Sequence, residues 1–304
     1  MSWLAHHLFE PGFFTNEPVR TALLVGAVVS IVSAVVGLFT VIRGQAFAGE
    51  ALGDVGAAGG SAAFLVGASP LFGFVGVALF GAGVIEVIGT KRAHDREIAT
   101  GIVLGVALGL AALFLYLDST TSNVSGASIT ILFGSMFVLS PSTVPLMILL
   151  GAVALAVVLL NYRMLLLSSL NGDLAAARGV PVRLVGIAYL FGLAIAVALA
   201  AMTIGAVLST ALLIGPPAAA LRIARRPGVA MLLAIAIAIL ATWVGILASY
   251  DSYYWPPAGR GWPVSFLVVL AVFIAYVLAR LVTLRRPHHR MEIQAQPSSQ
   301  SGRV

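Results

Sequence analysis

Cysteine is absent from this chain of 304 residues, and lysine occurs once, as Lys91. Without thiols there is no disulfide framework and no thiolate metal site. A phosphate-binding loop needs a glycine-rich turn running into Gly-Lys followed by Ser or Thr, whereas Lys91 stands in Gly-Thr-Lys-Arg. The chain therefore has no ATP site of its own. Charge is scarce as well: Asp, Glu, Lys and Arg together make up 9%, against about a quarter in soluble domains. Sixty percent of the residues are hydrophobic and mean hydropathy is +1.06, which no soluble core of this size hides from water. The solvent must be lipid. Neither a His-Glu-x-x-His nor a Gly-x-Ser-x-Gly pattern is present, nor are there paired aspartates on separate spans, so an intramembrane enzyme is disfavoured. The net charge of +6 does not mark a nucleic-acid binder, because the 17 Lys and Arg cluster between apolar runs, as in the cytoplasmic loops of membrane proteins.

What is present is a series of apolar runs of bilayer length, near residues 19–41, 46–67, 71–90, 98–117, 142–161, 184–202, 204–221, 229–249 and 263–282. They predict an all-α, multi-pass protein of the cell membrane with eight or nine transmembrane helices. The run 128–139 is too short to cross and reads as a re-entrant or interfacial helix. Basic residues gather around Arg43, Lys91 to Arg96, Arg163 to Arg183, Arg222 to Arg226 and Arg280 to Arg290, while the intervening loops nearly lack them. The basic loops and the C terminus are expected in the cytoplasm. Nine spans then place the N terminus outside, eight inside. Residues 1–18 read as an interfacial segment with aromatics at headgroup level, 19–284 as the transmembrane domain, and 285–304 as a disordered cytoplasmic tail. His6 and His7 read as solvated rather than as metal ligands.

An ionised group inside a span costs roughly +2.5 to +3.5 kcal/mol on insertion scales unless it is paired or hydrated. Of the eleven acids, eight fall in loops or at span ends, leaving Glu50, Asp54 and Glu86 inside apolar runs. Glu86 lies about one turn before Lys91 and can pair at the cytoplasmic interface. Glu50 and Asp54 differ, because a spacing of four sets both carboxylates on one helical face. Two like charges there persist through a shared proton, a water-filled cavity or a cation between them. A permeating cation is the most economical of these; the alternative is an ordinary wet helix start soon after Arg43. Small residues surround them in GQAFAGEALGDVGAAGG, which permits close helix approach or leaves room for a pathway.

Two further segments stand out. In GAVLSTALLIGPPAAALRIA, Pro216 and Pro217 interrupt an apolar run and free carbonyls four residues earlier, with Ser209 and Thr210 nearby. The segment is either a plain kink or a break lining a polar path. In SSLNGDLAAARGVPVR, the stretch Asp173–Arg178 predicts a short cytoplasmic helix closed by Gly179 and Pro181. Such a helix suits a lever that touches a motor protein.

Taken in order, these pieces resemble the permease family of ABC importers for zinc, manganese and iron over roughly residues 19–285. The family's GDAxSHAxxPG stretch lies without gaps on GEALGDVGAAG, its acid on Glu50 and its histidine on Asp54, with Ala58 replacing its proline. REIATG resembles the family's DxxIG start of a later span, matching at Glu97 and Gly101; LFGS at 132–135 resembles its LFG motif; ALLIGPPAAA resembles ALLIxPAA. NGDLAAARG resembles the ATPase-coupling segment, with Asn171 at the usual Asp position, Asp173 beside it, and Ala175 and Gly179 matching.

The resemblance implies the permease fold and a homodimeric permease that passes a divalent metal inward as cargo, with no permanently bound cofactor. It also implies a separate cytoplasmic ATPase docked on 171–179 and an extracellular metal-binding lipoprotein. Asp54 in place of His exchanges a borderline nitrogen for a hard oxygen, which on ligand softness favours Mn²⁺ or Fe²⁺ over Zn²⁺. The rival expectation is an ion- or proton-coupled secondary transporter in which Glu50 and Asp54 exchange protons. A permease for a metal chelate would need a wider cavity without such carboxylates.

Overall fold

The computed structural model describes Phe13 and residues 16–88, 93–121, 127–134, 136–253 and 261–284, with the side chains of 93–96, 121, 127 and 128 left out of the description. Most of the expected N-terminal anchor, Lys91, and the tail from Arg285 lie outside this set.

All regular structure among the described residues is helical. In chain order the helices are α1 (Glu17–Ile42), α2 (Ala46–Leu65), α3 (Pro70–Ile88), α4 (Ala93–Thr121), α5 (Ala127–Phe133) and α6 (Val144–Leu160). There follow α7 (Tyr162–Leu170), α8 (Gly172–Ala177), α9 (Val182–Ile204), α10 (Ala206–Ile223), α11 (Pro227–Ser252) and α12 (Val264–Leu284). Eight of these are long and apolar enough to cross a bilayer on their own. α2 is the exception, since Glu50, Asp54 and its glycines dilute its hydropathy, yet its 20 residues extend about 30 Å and most of them are buried. It enters the membrane because its neighbours cover it. Counting α2, nine of the described helices are of bilayer length, and with nine spans and cytoplasmic basic loops the N terminus is expected outside.

α1 and α9 form the centre and are buried along most of their length, whereas α4, α6 and α12 turn much of their surface outward. Ala-rich faces on α9 let α2, α6 and α10 approach closely. A polar pair inside the bundle joins α1 to α11, Ser30 Oγ lying 2.8 Å from Thr242 Oγ1. Glu86 pairs with Arg183 at 3.7 Å, tying the inner end of α3 to the start of α9. The expectation for Glu86 was pairing at the cytoplasmic interface; Arg183, from a distant part of the chain, is one partner, and Lys91 lies outside the described residues.

α10 runs unbroken through Pro216 and Pro217, both buried. The break lies instead at Gly205, whose φ of +98° separates α9 from α10. The carbonyl of Leu213, which loses its amide partner to Pro217, lies against Gly37 of α1, where an added Cβ would collide with it. The unbonded oxygen is thus buried in protein, as a membrane interior demands.

Candidate functional site

A helix turns 100° per residue, so the sides of α2 can be read from its contacts. Gly49 lies against Leu213 and Leu193, and Gly53 against Val197 and Ser209, which brings the α2 backbone onto α9 and α10. Gly56, Gly59 and Gly60 meet α3; at Gly59 the approach is so close that a Cβ would overlap the carbonyl of Gly73. Val55 and Ala58 turn toward α3 and α4. The remaining side carries Glu50, Asp54, Ala57 and Ser61, between α4 and α10. Its outer half is sealed: Ala57 and Ser61 are buried, and the Ser61 hydroxyl donates to the Ala57 carbonyl at 2.8 Å. Short α5 packs on α2, α4, α9 and α10. Its inner half holds Glu50 and Asp54, both half-buried.

Among the described residues, neither carboxylate is paired with Lys, Arg or His, and no group of three or more His, Asp or Glu side chains converges to hold a metal. The pair therefore offers two hard oxygen ligands, with the rest of a coordination shell left to water, hydroxyls or backbone. Of the α10 residues, Ser209 is fully buried and donates to the Ala206 carbonyl at 2.9 Å, while Thr210 is half-buried. Pro216 and Pro217 lie further along α10, both buried, with Pro217 packed beside Gly37 of α1.

Just inside the acid pair, a cavity of about 340 Å³ is lined by Arg43, Gln45, Phe47, Glu97, Thr100 and Ser168. Glu97 had stood out only as a motif match at a span start; folding brings it to the mouth of this cavity. The polar residues at the start of α2 gave no sequence signal, since Gln45 is a lone amide in a short turn. Two other acids, expected in loops or at span ends, stand at helix ends. Asp118 and Asp251 are buried at the outer ends of α4 and α11, at 0% and 4% exposure.

On the inner face the segment 171–179 folds as its residues require. Asn171 caps α8, its Oδ1 accepting from the Leu174 amide at 3.0 Å. Asp173 lies in the first turn, where a carboxylate opposes the helix dipole favourably. Ala175 is fully buried, and Gly179 takes φ +78°, letting the Val180 amide close on the Ala175 carbonyl at 3.0 Å. The rest of α8 is exposed, including Leu174.

The model of the ABC 3 transport family matches residues 15–280. The chain belongs to that family. This ABC 3 family chain is 29% identical over 241 residues to the manganese transport system membrane protein MntC of Halalkalibacterium halodurans, covering 78% of this chain and 80% of that one. It is 25% identical over 254 residues to the high-affinity zinc uptake system membrane protein ZnuB of Haemophilus influenzae, covering 83% and 95%. Its fold is that of a chain in the solved structure of PsaBC from Streptococcus pneumoniae in complex with Fab, with a TM-score of 0.77, 23% identity, and coverage of 93% and 100%. The ABC 3 family chain is a multi-pass protein of the plasma membrane.

Proposed function

We propose that the chain is the permease subunit of an ABC importer that carries a divalent transition metal, zinc, manganese or iron, into the cytoplasm. The observation that carries this reading is the acid pair: two carboxylates one turn apart, half-buried within a membrane bundle, without a counter-charge among the described residues. Such a pair is stabilised when a dication visits it. Family membership and relatives named for manganese and zinc support the same cargo class. Thr210 adds a hydroxyl on the facing α10, and buried Ser209 supports the close packing of Gly53.

The work is supplied by a separate cytoplasmic ATPase that docks on Asn171, Asp173, Ala175 and Gly179, the capped helix the bundle presents inward. An extracellular metal-binding protein delivers the ion. A second copy of the permease completes the pathway, because one copy leaves Glu50 and Asp54 partly uncovered and lipid tails cannot solvate them. In alternating access, the ion enters between α4 and α10 from outside, meets the carboxylates, and leaves through the polar cavity beside Glu97 once α8 is displaced.

Glu50→Ala combined with Asp54→Ala is expected to abolish Mn²⁺ and Zn²⁺ uptake in cells while the protein still inserts in the membrane. Unchanged uptake removes the site assignment. Uptake that persists without the ATPase and collapses with an uncoupler replaces the ABC reading with proton coupling.

A further inference from the structure

The turn between α1 and α2 is held by one guanidinium. Arg43 Nη1 donates to Ser168 Oγ at 3.1 Å, and that hydroxyl donates to the Leu165 carbonyl of α7 at 3.1 Å. The same guanidinium lies 5.2 Å from the centre of the Tyr189 ring on α9, a cation–π contact, and passes Gly186. Tyr189 is fully buried, and its hydroxyl lies 2.7 Å from Thr40 Oγ1 at the inner end of α1. The Thr40 carbonyl in turn accepts the Gln45 amide at 2.9 Å, and the Gln45 carbonyl accepts the Gly49 amide at 3.1 Å, one residue before Glu50.

The placement of these contacts gives them meaning. α7 leads into α8 and α9 leads out of it, with only Asn171 on one side and 178–181 on the other. Arg43 therefore grips both flanks of the exposed inner helix and stands at the root of the helix that carries the acids. Resting on the permease reading above, we infer that Arg43 is the positioning residue that couples displacement of α8 to the acid pair. Pushing α8 moves α7 and α9 together, and the guanidinium carries that motion into the 43–45 turn and so into α2. A lysine replaces it only in part, because an ammonium keeps the charge but lacks the planar fork that donates to Ser168 while lying over the Tyr189 ring.

The test uses the complete transporter, permease with ATPase, in proteoliposomes, with Mn²⁺ as probe and the ratio of metal moved to ATP hydrolysed as readout. Arg43→Ala is expected to lower that ratio by at least about fivefold, the lower end of ordinary coupling energies, while ATP hydrolysis continues. Arg43→Lys is expected to fall between wild type and Arg43→Ala. Ser168→Ala removes a single half-buried hydroxyl and is the variant to read should Arg43→Ala not assemble; its ratio is expected to fall as well. Unchanged ratios, or uptake and hydrolysis falling together in proportion, overturn the inference. A wild-type complex that fails to move Mn²⁺ with ATP instead overturns the permease reading.

Discussion

Glu50 and Asp54 depend on neighbours that carry no charge. Gly49 and Gly53 let side chains of α9 and α10 pack directly on the α2 backbone, which turns the two carboxylates toward the space between α4 and α10. A bulkier residue at Gly53 meets Val197 and Ser209 at 3.2 and 3.3 Å, so Gly53→Val is expected to reduce metal uptake without touching either carboxylate, as measured in a cellular Mn²⁺ uptake assay. Buried hydroxyl pairs set stability on the same scale. Ser30 is fully buried against Thr242, and Ser30→Ala is expected to cost about 1 kcal/mol, read as a lower thermal midpoint of the purified protein with uptake unchanged. The acid pair itself was visible in the residues, because charge inside an apolar run is conspicuous. Arg43, Tyr189 and Thr40 were not visible as a unit, since 149 residues separate the two hydroxyls that meet and no local pattern links them.

At the scale of elements, α2 shows how glycine serves membrane packing. Gly59 and Gly73 pass each other so closely that neither tolerates a side chain, whereas Gly105 on α4 faces open space. Gly59→Leu is expected to abolish the monodisperse fraction in detergent size-exclusion chromatography, and Gly105→Ala to leave it intact. The short helix α8 was legible to within a residue at each end, expected over 173–178 and found over Gly172–Ala177, because its close at Gly179 is a local preference; the Asn171 cap was not read from the sequence. Replacing the cap, Asn171→Ala, is expected to destabilise α8 by about 1 kcal/mol and to weaken ATPase binding in a pull-down of the two subunits. α10 was read less well. Proline chemistry identifies carbonyls without partners but not what covers them, and here Gly37 of α1 covers the Leu213 oxygen while the helix stays continuous.

For the whole molecule, nine spans with the basic loops in the cytoplasm predict Ala68 outside and Ala177 inside. The absence of cysteine makes the topology directly measurable: with an impermeant maleimide, Ala68→Cys is expected to label in intact cells and Ala177→Cys only after permeabilisation, and the reverse pattern inverts the orientation. The lipid solvent, the helical class and the suspect acids were all legible in the sequence alone. Each follows from the cost of placing one kind of residue in hydrocarbon, which does not depend on what packs beside it. Tertiary structure decided the rest. α2 is inside the bundle although its own hydropathy falls short, Glu86 takes Arg183 as its partner, and Glu97 joins the cavity beneath the acid pair. Those outcomes depend on which helices touch, and close packing of small residues selects the contacts between segments far apart in the chain.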